Sequence, residues 1–157
     1  MIDPRAPRFT AGITAVLLLV TIVLSFAFPT GADIEPVARI LSPAFLLLAA
    51  LSLLFLWGAT AGVKRHPFGR LFRTLVRPRL APPAELEDPK PPTFAQLVGF
   101  VVTLAGLVLG ALGVPYAITI FASLAFVAAF LNSVFGYCIG CQLYLLLVRA
   151  RPVSQRG

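Results

Sequence analysis

The chain has two cysteines, Cys138 and Cys141, with two residues between them, in an otherwise apolar stretch. A Cys-x-x-Cys pair brings two sulfurs within reach of a disulfide or of one metal ion, and a neighbouring helix start lowers the pKa of a thiol. Gly136 and Gly140 flank Cys138 and allow close backbone approach. The pair therefore predicts a redox or sulfur-handling dithiol.

Asn132 and Gln142 are the amide side chains nearest to the pair in sequence. Either amide can orient a sulfur or simply bond a backbone carbonyl, so we interpret Asn132, Gly136, Gly140 and Gln142 as supporting residues. If a fresh helix begins at Gly136, Cys138 lies near its N-terminus, where free amides and the helix dipole stabilise a thiolate. We therefore expect Cys138 to attack and the second cysteine to resolve.

Three other interpretations of the pair stay open. A structural zinc ion takes four ligands, whereas the chain has two cysteines and His66 on a different segment, so zinc would need a homodimer that contributes both pairs. The thiols also suit a purely structural role, since cysteine packs well in apolar surroundings. A permanent disulfide is less expected at a reducing cytoplasmic face. No metal and no cofactor is predicted for the single chain.

Composition decides the class of protein. The 157 residues are 59% hydrophobic and 12% charged, which is more apolar surface than one small soluble core can bury. About 20 helical residues cross the hydrocarbon core of a bilayer, so runs of that length predict an all-α polytopic membrane protein with four transmembrane helices. The predicted spans are 9–28, 43–62, 94–112 and 116–136, the last running into a cysteine segment at 138–148.

A basic segment separates the second and third spans. Its apolar residues recur at helical spacing between Phe68 and Leu80, which predicts an amphipathic helix on the bilayer surface, followed by a stiff proline-rich connector. Ser42 before Pro43 predicts an N-cap, and Thr93 with Gln96 predicts a capping box. The arginines expected to contact lipid or a partner are Arg70, Arg73, Arg77 and Arg79.

The length of the last span creates a problem. From Tyr116 to Val148 there are 33 residues without a charge, and as one helix they would reach about 50 Å, beyond the hydrocarbon thickness. We expect a break near Asn132 or Gly136, or an end that lies along the membrane surface with Arg149 and Arg151 as anchors. Gly106 and Gly110 predict close packing of the third helix against small residues of the fourth, namely Ala125, Ala129 and Ser133.

Charge distribution predicts the orientation. Of the 13 lysines and arginines, 12 lie before the first span, between the second and third, or after the fourth, and only Arg39 lies outside these segments. Positive charge resists translocation, so both termini, the long loop and the cysteines should face the cytoplasm. The net charge of +7 is explained by these membrane flanks, and nucleic acid is not an expected partner. The spans contain no charged side chain, which disfavours ion-coupled transport.

The motifs that carry a family resemblance are Asp3-Pro4-Arg5-x-x-Arg8-Phe9, Leu71-Phe72-Arg73-x-Leu75-Val76-Arg77-Pro78-Arg79-Leu80-x-Pro82-Pro83, Pro91-Pro92-x-Phe94-Ala95-Gln96, Ala129-Phe130-Leu131-Asn132 and Phe135-Gly136-Tyr137-Cys138-Ile139-Gly140-Cys141. These stretches resemble the bacterial inner-membrane family catalogued as domain of unknown function 4395. The resemblance covers nearly the whole chain, and its loop motif is specific.

The last stretch is also similar to short membrane modules attached to rhodanese sulfurtransferases, although Ile139 stands where those have proline and Cys141 is additional. Membership implies an inner-membrane protein often associated with thioredoxin-like or rhodanese-like partners. Together with the dithiol, this predicts thiol-disulfide or sulfane-sulfur relay through Cys138 and Cys141. The alternative is a non-enzymatic membrane scaffold that recruits a partner through the basic loop, with structural or metal-binding cysteines.

Overall fold

The computed structural model describes residues 1–150 and shows a bundle of four long helices joined by shorter ones. Arg151 and Arg156, which entered the charge count, lie outside the described residues. The helices are α1 (Arg5–Ala27), α2 (Pro36–Ile40), α3 (Pro43–Ala61), α4 (Pro67–Leu71), α5 (Lys90–Ala111), α6 (Ala117–Phe135) and α7 (Ile139–Arg149). Within residues 1–150 the only β-pairing is a single bridge between Ile2 and Glu87.

Four of these helices, α1, α3, α5 and α6, are long and apolar enough to cross a membrane. The prediction of an all-α membrane protein with four such helices is confirmed. Helix α1 begins four residues before the predicted span and α5 begins four residues before its own. The outward faces carry exposed valine, leucine and phenylalanine side chains, which are compatible with contact to lipid.

The helices pack as an antiparallel bundle in which α1 lies along α6 and α3 lies along α5. Their shared core contains Leu18, Leu48 and Ile118, each almost completely buried. Polar side chains within the helices form hydrogen bonds to backbone carbonyls of the preceding turn. For example, Thr21 Oγ1 donates to the carbonyl of Leu17 at 2.9 Å. Packing of complementary side chains, rather than exclusion of water, therefore holds the bundle together.

The predicted partner face for the glycines of α5 was wrong. A Cβ on Gly106 would meet Phe121 at 2.6 Å, and one on Gly110 would meet Ile118 at 2.8 Å. The turn between α5 and α6 is short, so residues close to it on one helix must face residues close to it on the other. Ser133, at the far end of α6, instead faces Gly12 of α1, whose Cβ would lie 2.9 Å from its Oγ.

Two predicted helix starts had different outcomes. Ser42 does cap α3, because its Oγ accepts a hydrogen bond from Phe45 N–H at 3.3 Å. The capping box at Thr93 and Gln96 was wrong, since α5 begins at Lys90 and Thr93 Oγ1 donates back to the Pro89 carbonyl at 2.8 Å. The prolines that follow Lys90 fit the first turn of a helix, where backbone N–H groups have no helical partner.

The basic segment is less regular than predicted. Helix α4 passes into a π-helical turn at Phe72–Val76 and a 3-10 turn at Arg77–Arg79. Pro78 lacks an N–H and cannot continue an α-helix. Phe72 points into the protein at 2% exposure and lies against Phe9, with ring centroids 5.6 Å apart. The predicted regular helix is therefore a bent helical segment in which Phe72 is turned inward, whereas Leu71 and Leu75 are exposed.

At the end of the bundle remote from the cysteines, Arg39 ties two loops together. Its side chain is buried; Nε donates to the Ile34 carbonyl at 2.9 Å and Nη1 donates to the Ala111 carbonyl at 3.0 Å. Gly113 lies directly beside the guanidinium and has a φ of +83°, a conformation that glycine adopts without strain. Arg39 thus anchors the loop after α1 to the turn after α5.

Candidate functional site

The cysteine segment is separated from α6 by a sharp break at Gly136. This glycine has a φ of +68° and its N–H donates to the Asn132 carbonyl at 3.1 Å, while Tyr137 N–H donates to the Leu131 carbonyl at 3.2 Å. Glycine adopts the left-handed conformation that ends a helix at the lowest cost, because it lacks a Cβ. Of the alternatives for the over-long last span, the structure therefore has the break at Gly136.

The break lies close to the membrane boundary. Helix α6 has 19 residues and is about 28 Å long, so it spans nearly the full hydrocarbon core. Cys138 follows the end of α6 by three residues. The two sulfurs are therefore at the end of the membrane-spanning bundle and not in its middle.

Cys138 is the N-cap of α7. Its Sγ accepts a hydrogen bond from the backbone N–H of Cys141 at 3.2 Å, in the place where a serine or aspartate oxygen commonly stands. The two sulfurs are joined as a disulfide, with the Cα atoms 5.2 Å apart. Once the bond is reduced, the same N–H can stabilise negative charge on Cys138, as the hypothesis of a helix-start thiolate requires.

Helix α7 is held against the start of α5 by a close backbone contact. Gly140 is buried, and a Cβ placed on it would lie 2.6 Å from both the Cα and the Cβ of Ala95. One turn further on, the rings of Tyr144 and Phe94 lie 5.7 Å apart between centroids. Gly140 therefore supports the cysteines by letting α7 approach α5.

Arg8 lies over the cysteine loop from the opposite side. Its Nη2 donates to the Val134 carbonyl at 3.3 Å, and its guanidinium carbon would lie 3.5 Å from a Cβ on Gly136. The α1 start and the cysteine loop thus meet at one end of the bundle. This arginine brings a fixed positive charge to the loop that carries the two sulfurs.

A cavity of about 780 Å³ opens at this end and is lined by both cysteines. Asn132, Gly136 and Gln142 also line it, whereas Gly140 packs on Ala95 and does not. Of the four arginines predicted as a contact surface, two line the cavity and two do not. The lining pair is Arg73 and Arg77, and the outward pair is Arg70 and Arg79.

The N-terminal segment and the proline-rich connector close part of this cavity. Ile2 and Glu87 exchange two backbone hydrogen bonds of 2.8 and 2.9 Å, and Arg5 Nη2 donates to the Ala81 carbonyl at 2.9 Å. Arg5 also pairs with Asp3 at 2.9 Å, and this hydrogen bond holds the pKa of the Asp3 carboxyl below its usual value. The connector is therefore fastened to the chain start.

His66 also lines the cavity, although it is only 3% exposed. Its Nδ1 accepts a hydrogen bond from Phe68 N–H at 3.3 Å. Burial lowers the pKa of His66, and a hydrogen bond with the backbone of Leu54 partly opposes that effect. Burial therefore favours the neutral form of the imidazole.

The same cavity therefore holds both cysteines and the histidine that the sequence placed on a separate segment. Within residues 1–150, however, no group of three or more His, Cys, Asp and Glu side chains is arranged to hold a metal ion. Sequence reasoning did not select Arg8 or His66 as site residues. Arg8 carried a signal, because it belongs to the N-terminal motif of the family resemblance, whereas His66 was considered only as a zinc ligand on a different segment.

Comparison with known proteins places the chain in a family. No curated protein and no solved structure matches it. A family model does match, and it extends from the N-terminal segment that closes the cavity to the last turn of α7, which includes both cysteines. With residues 2–149 matched, the chain belongs to the family described as Domain of unknown function (DUF4395).

Proposed function

We propose that this membrane protein is a thiol-disulfide or sulfane-sulfur relay that works through Cys138 and Cys141. The observation that carries the proposal is the position of Cys138 as the N-cap of α7, with its sulfur bonded to Cys141 and the pair lining an open cavity. A buried structural cystine would have no need of that opening. Both features favour exchange chemistry, because exchange requires access and a stabilised thiolate.

The steps balance as follows. The Cys138 thiolate attacks a disulfide of a soluble partner, and one partner sulfur leaves as a thiolate. The Cys141 thiolate then attacks Cys138 Sγ, which releases the second partner sulfur and forms the internal disulfide. The partner is thereby reduced to a dithiol, and the relay is oxidised by two electrons.

A thioredoxin-like or rhodanese-like protein suits the partner role. With a persulfide donor, Cys138 would accept the outer sulfur and release the donor thiolate, and Cys141 would displace hydrosulfide. Both routes end in the same internal disulfide, so the identity of the released sulfur species distinguishes them. Disulfide exchange produces a protein dithiol, whereas sulfane transfer produces sulfide.

The proposed location is the bacterial inner membrane, with both termini and the cysteine end in the cytoplasm. Eleven lysines and arginines are described, of which Arg39 lies at the end remote from the cysteines and Arg149 ends α7. The other nine lie at the cysteine end, namely Arg5, Arg8, Lys64, Arg65, Arg70, Arg73, Arg77, Arg79 and Lys90. This asymmetry supports a cytoplasmic cysteine end. Reporter fusions at each terminus test it: a periplasmic reporter active at either terminus would contradict the orientation.

Thiol trapping in native membranes tests the relay. In the wild type, acid quenching followed by maleimide labelling should show both oxidised and reduced forms, and their ratio should respond to the cellular thiol balance. Cys141→Ser should accumulate a mixed disulfide through Cys138, because the resolving step is lost. Cys138→Ser is the matched control and should trap far less.

The alternative is a membrane scaffold that binds its partner through the basic loop. Exposed Arg70 and Arg79, on the outer side of the cysteine end, supply the observation that favours it. A scaffold should retain its function in both cysteine variants and lose it when these arginines are replaced. A relay should show the reverse pattern.

A further inference from the structure

The walls of the cysteine cavity are strongly cationic. Four basic side chains line it, against the carboxylates of Asp3 and Glu87. Asp3 is already paired with Arg5, and this is the only ion pair in the part of the chain that the structure describes. The basic residues are Arg8, Lys64, Arg73 and Arg77.

From this juxtaposition we propose that the cavity binds a small anionic thiol and directs it onto the Cys138–Cys141 disulfide. The inference rests on the proposed relay and names its reductant as a low-molecular-weight thiol bearing a carboxylate, sulfonate or phosphate. The volume of about 780 Å³ lies within the range of small-molecule sites. A cleft lined by one sign of charge concentrates the opposite sign and raises its rate of encounter.

Several contributions to the cavity come from separate parts of the chain. Arg8 from α1 lies over the cysteine loop, and Arg73 and Arg77 come from the bent basic segment. Phe72, which is buried and directly precedes Arg73 in sequence, holds that segment against Phe9. The tertiary structure therefore brings positive charge from separate parts of the chain to the cavity that the two cysteines line.

The reaction consumes two molecules of thiol. The thiolate of the first attacks Cys138 Sγ, the internal S–S bond breaks, and Cys141 leaves as a thiolate that takes a proton from water. A second thiolate attacks the outer sulfur of the mixed disulfide and displaces Cys138. The products are the reduced dithiol and one small-molecule disulfide, and two electrons pass from the thiols to the protein.

The test compares three thiols that differ in charge: 2-mercaptoethanesulfonate, 2-mercaptoethanol and cysteamine. The oxidised full-length protein, in phosphatidylcholine nanodiscs, is treated with each thiol, and reduction is followed by maleimide labelling after acid quench. Rates are expressed per thiolate and normalised to the reaction of the same thiol with a neutral small disulfide. The anionic thiol should react about tenfold faster than the neutral one at low salt, and the cationic thiol slower still.

Variants locate the charge that is responsible. Arg8→Gln and Arg73→Gln should each lower the preference for the anionic thiol severalfold, and added salt should do the same in the wild type. Arg70→Gln is the matched control, because Arg70 lies on the same basic segment but does not line the cavity. It should leave the preference close to that of the wild type.

Other outcomes overturn the inference. Equal normalised rates for the three thiols would show that the cavity does not select anions, although the relay itself would stand. Equal losses in Arg70→Gln and Arg73→Gln would assign the effect to the whole charged surface and not to the cavity. Reduction by a thioredoxin-like protein but by none of the three thiols would also reject it, while supporting the relay. A disulfide inert to small thiols and to that protein would reject both proposals.

Discussion

The contact between Gly140 and Ala95 sets the position of the cysteine segment, and replacement of Gly140 by alanine tests it. An added Cβ would lie 2.6 Å from the Cα of Ala95, about 0.8 Å short of the 3.4 Å at which ordinary van der Waals contact begins. The nearest atoms include backbone, which cannot rotate away as the end of a flexible side chain can. Helix α7 must therefore move away from α5.

The expected cost follows from two opposing effects. Overpacking a tight contact costs about 1–3 kcal/mol, whereas alanine is favoured over glycine inside a helix by about 1 kcal/mol. Gly140 lies in the first turn of α7, where the helix gain is smaller, so the overpacking cost should dominate. We expect Gly140→Ala to lower the free energy of unfolding by about 1–2 kcal/mol.

Two measurements check this expectation. Thermal unfolding in detergent should shift downward by a few degrees, and dithiothreitol should reduce the disulfide faster because α7 no longer packs firmly. Ala95→Gly combined with Gly140→Ala should recover part of the loss, since it removes the Cβ of Ala95 but not its Cα. Leu146→Ala, at a position 61% exposed on the same helix, is the control and should have little effect.

A neutral or stabilising Gly140→Ala would refute the close approach of the two helices. The same conclusion would follow if Ala95→Gly had the same effect on the stability of the Gly140→Ala variant as on the stability of the wild type. In either case α7 would not be seated on α5, and the position of Cys138 at the cavity would need another support.

Three further predictions concern other parts of the chain. Gly136→Ala should destabilise the protein by about 1–2 kcal/mol because the φ of Gly136 is +68°, and Gly136→Asn should cost less. Thermal unfolding of both variants measures the difference, and equal losses of stability would contradict the prediction. Burial lowers the pKa of His66, so the stability of the protein should fall as the pH drops below the unfolded histidine pKa of about 6.5. His66→Gln should remove this pH dependence of stability between about pH 7.5 and 5.5. If the dependence persists in the variant, another group causes it. Arg39→Ala removes two hydrogen bonds from a charged group and should lower the free energy of unfolding by about 2–4 kcal/mol in denaturant titrations. Arg65 is exposed, so Arg65→Ala should be nearly neutral. Similar losses in the two variants would contradict the role of Arg39 in anchoring the loops.

The cysteine cavity gives the cystine a different character from one buried in a core. Cys138 and Cys141 lie where a membrane-spanning helix has ended and a short helix begins, so they are partly accessible. Arg8 and His66 face the same space from α1 and from the segment before α4. The accessible sulfur pair supports the proposed relay, and the positive charge beside it in the cavity supports the proposed preference for an anionic thiol.

Much of this organisation follows from sequence alone. Four long apolar runs determine the membrane helices, because each must satisfy its backbone hydrogen bonds internally and span about 30 Å of hydrocarbon. The Ser42 cap and the excess length after Tyr116 are equally local, since they depend on residues within a few turns. The spacing of Cys138 and Cys141 likewise indicated a possible sulfur pair without knowledge of the fold.

Tertiary structure decided what the helices face. The short turn between α5 and α6 sets their register, so Gly106 meets Phe121 and not the small residues that its spacing suggested. Phe72 turns inward because Phe9, more than sixty residues earlier, offers it a partner. Arg8 and His66 line the same cavity as the cysteines for the same reason. The periodicity of a sequence shows the faces of one helix, whereas a site built across helices depends on contacts between residues distant in sequence.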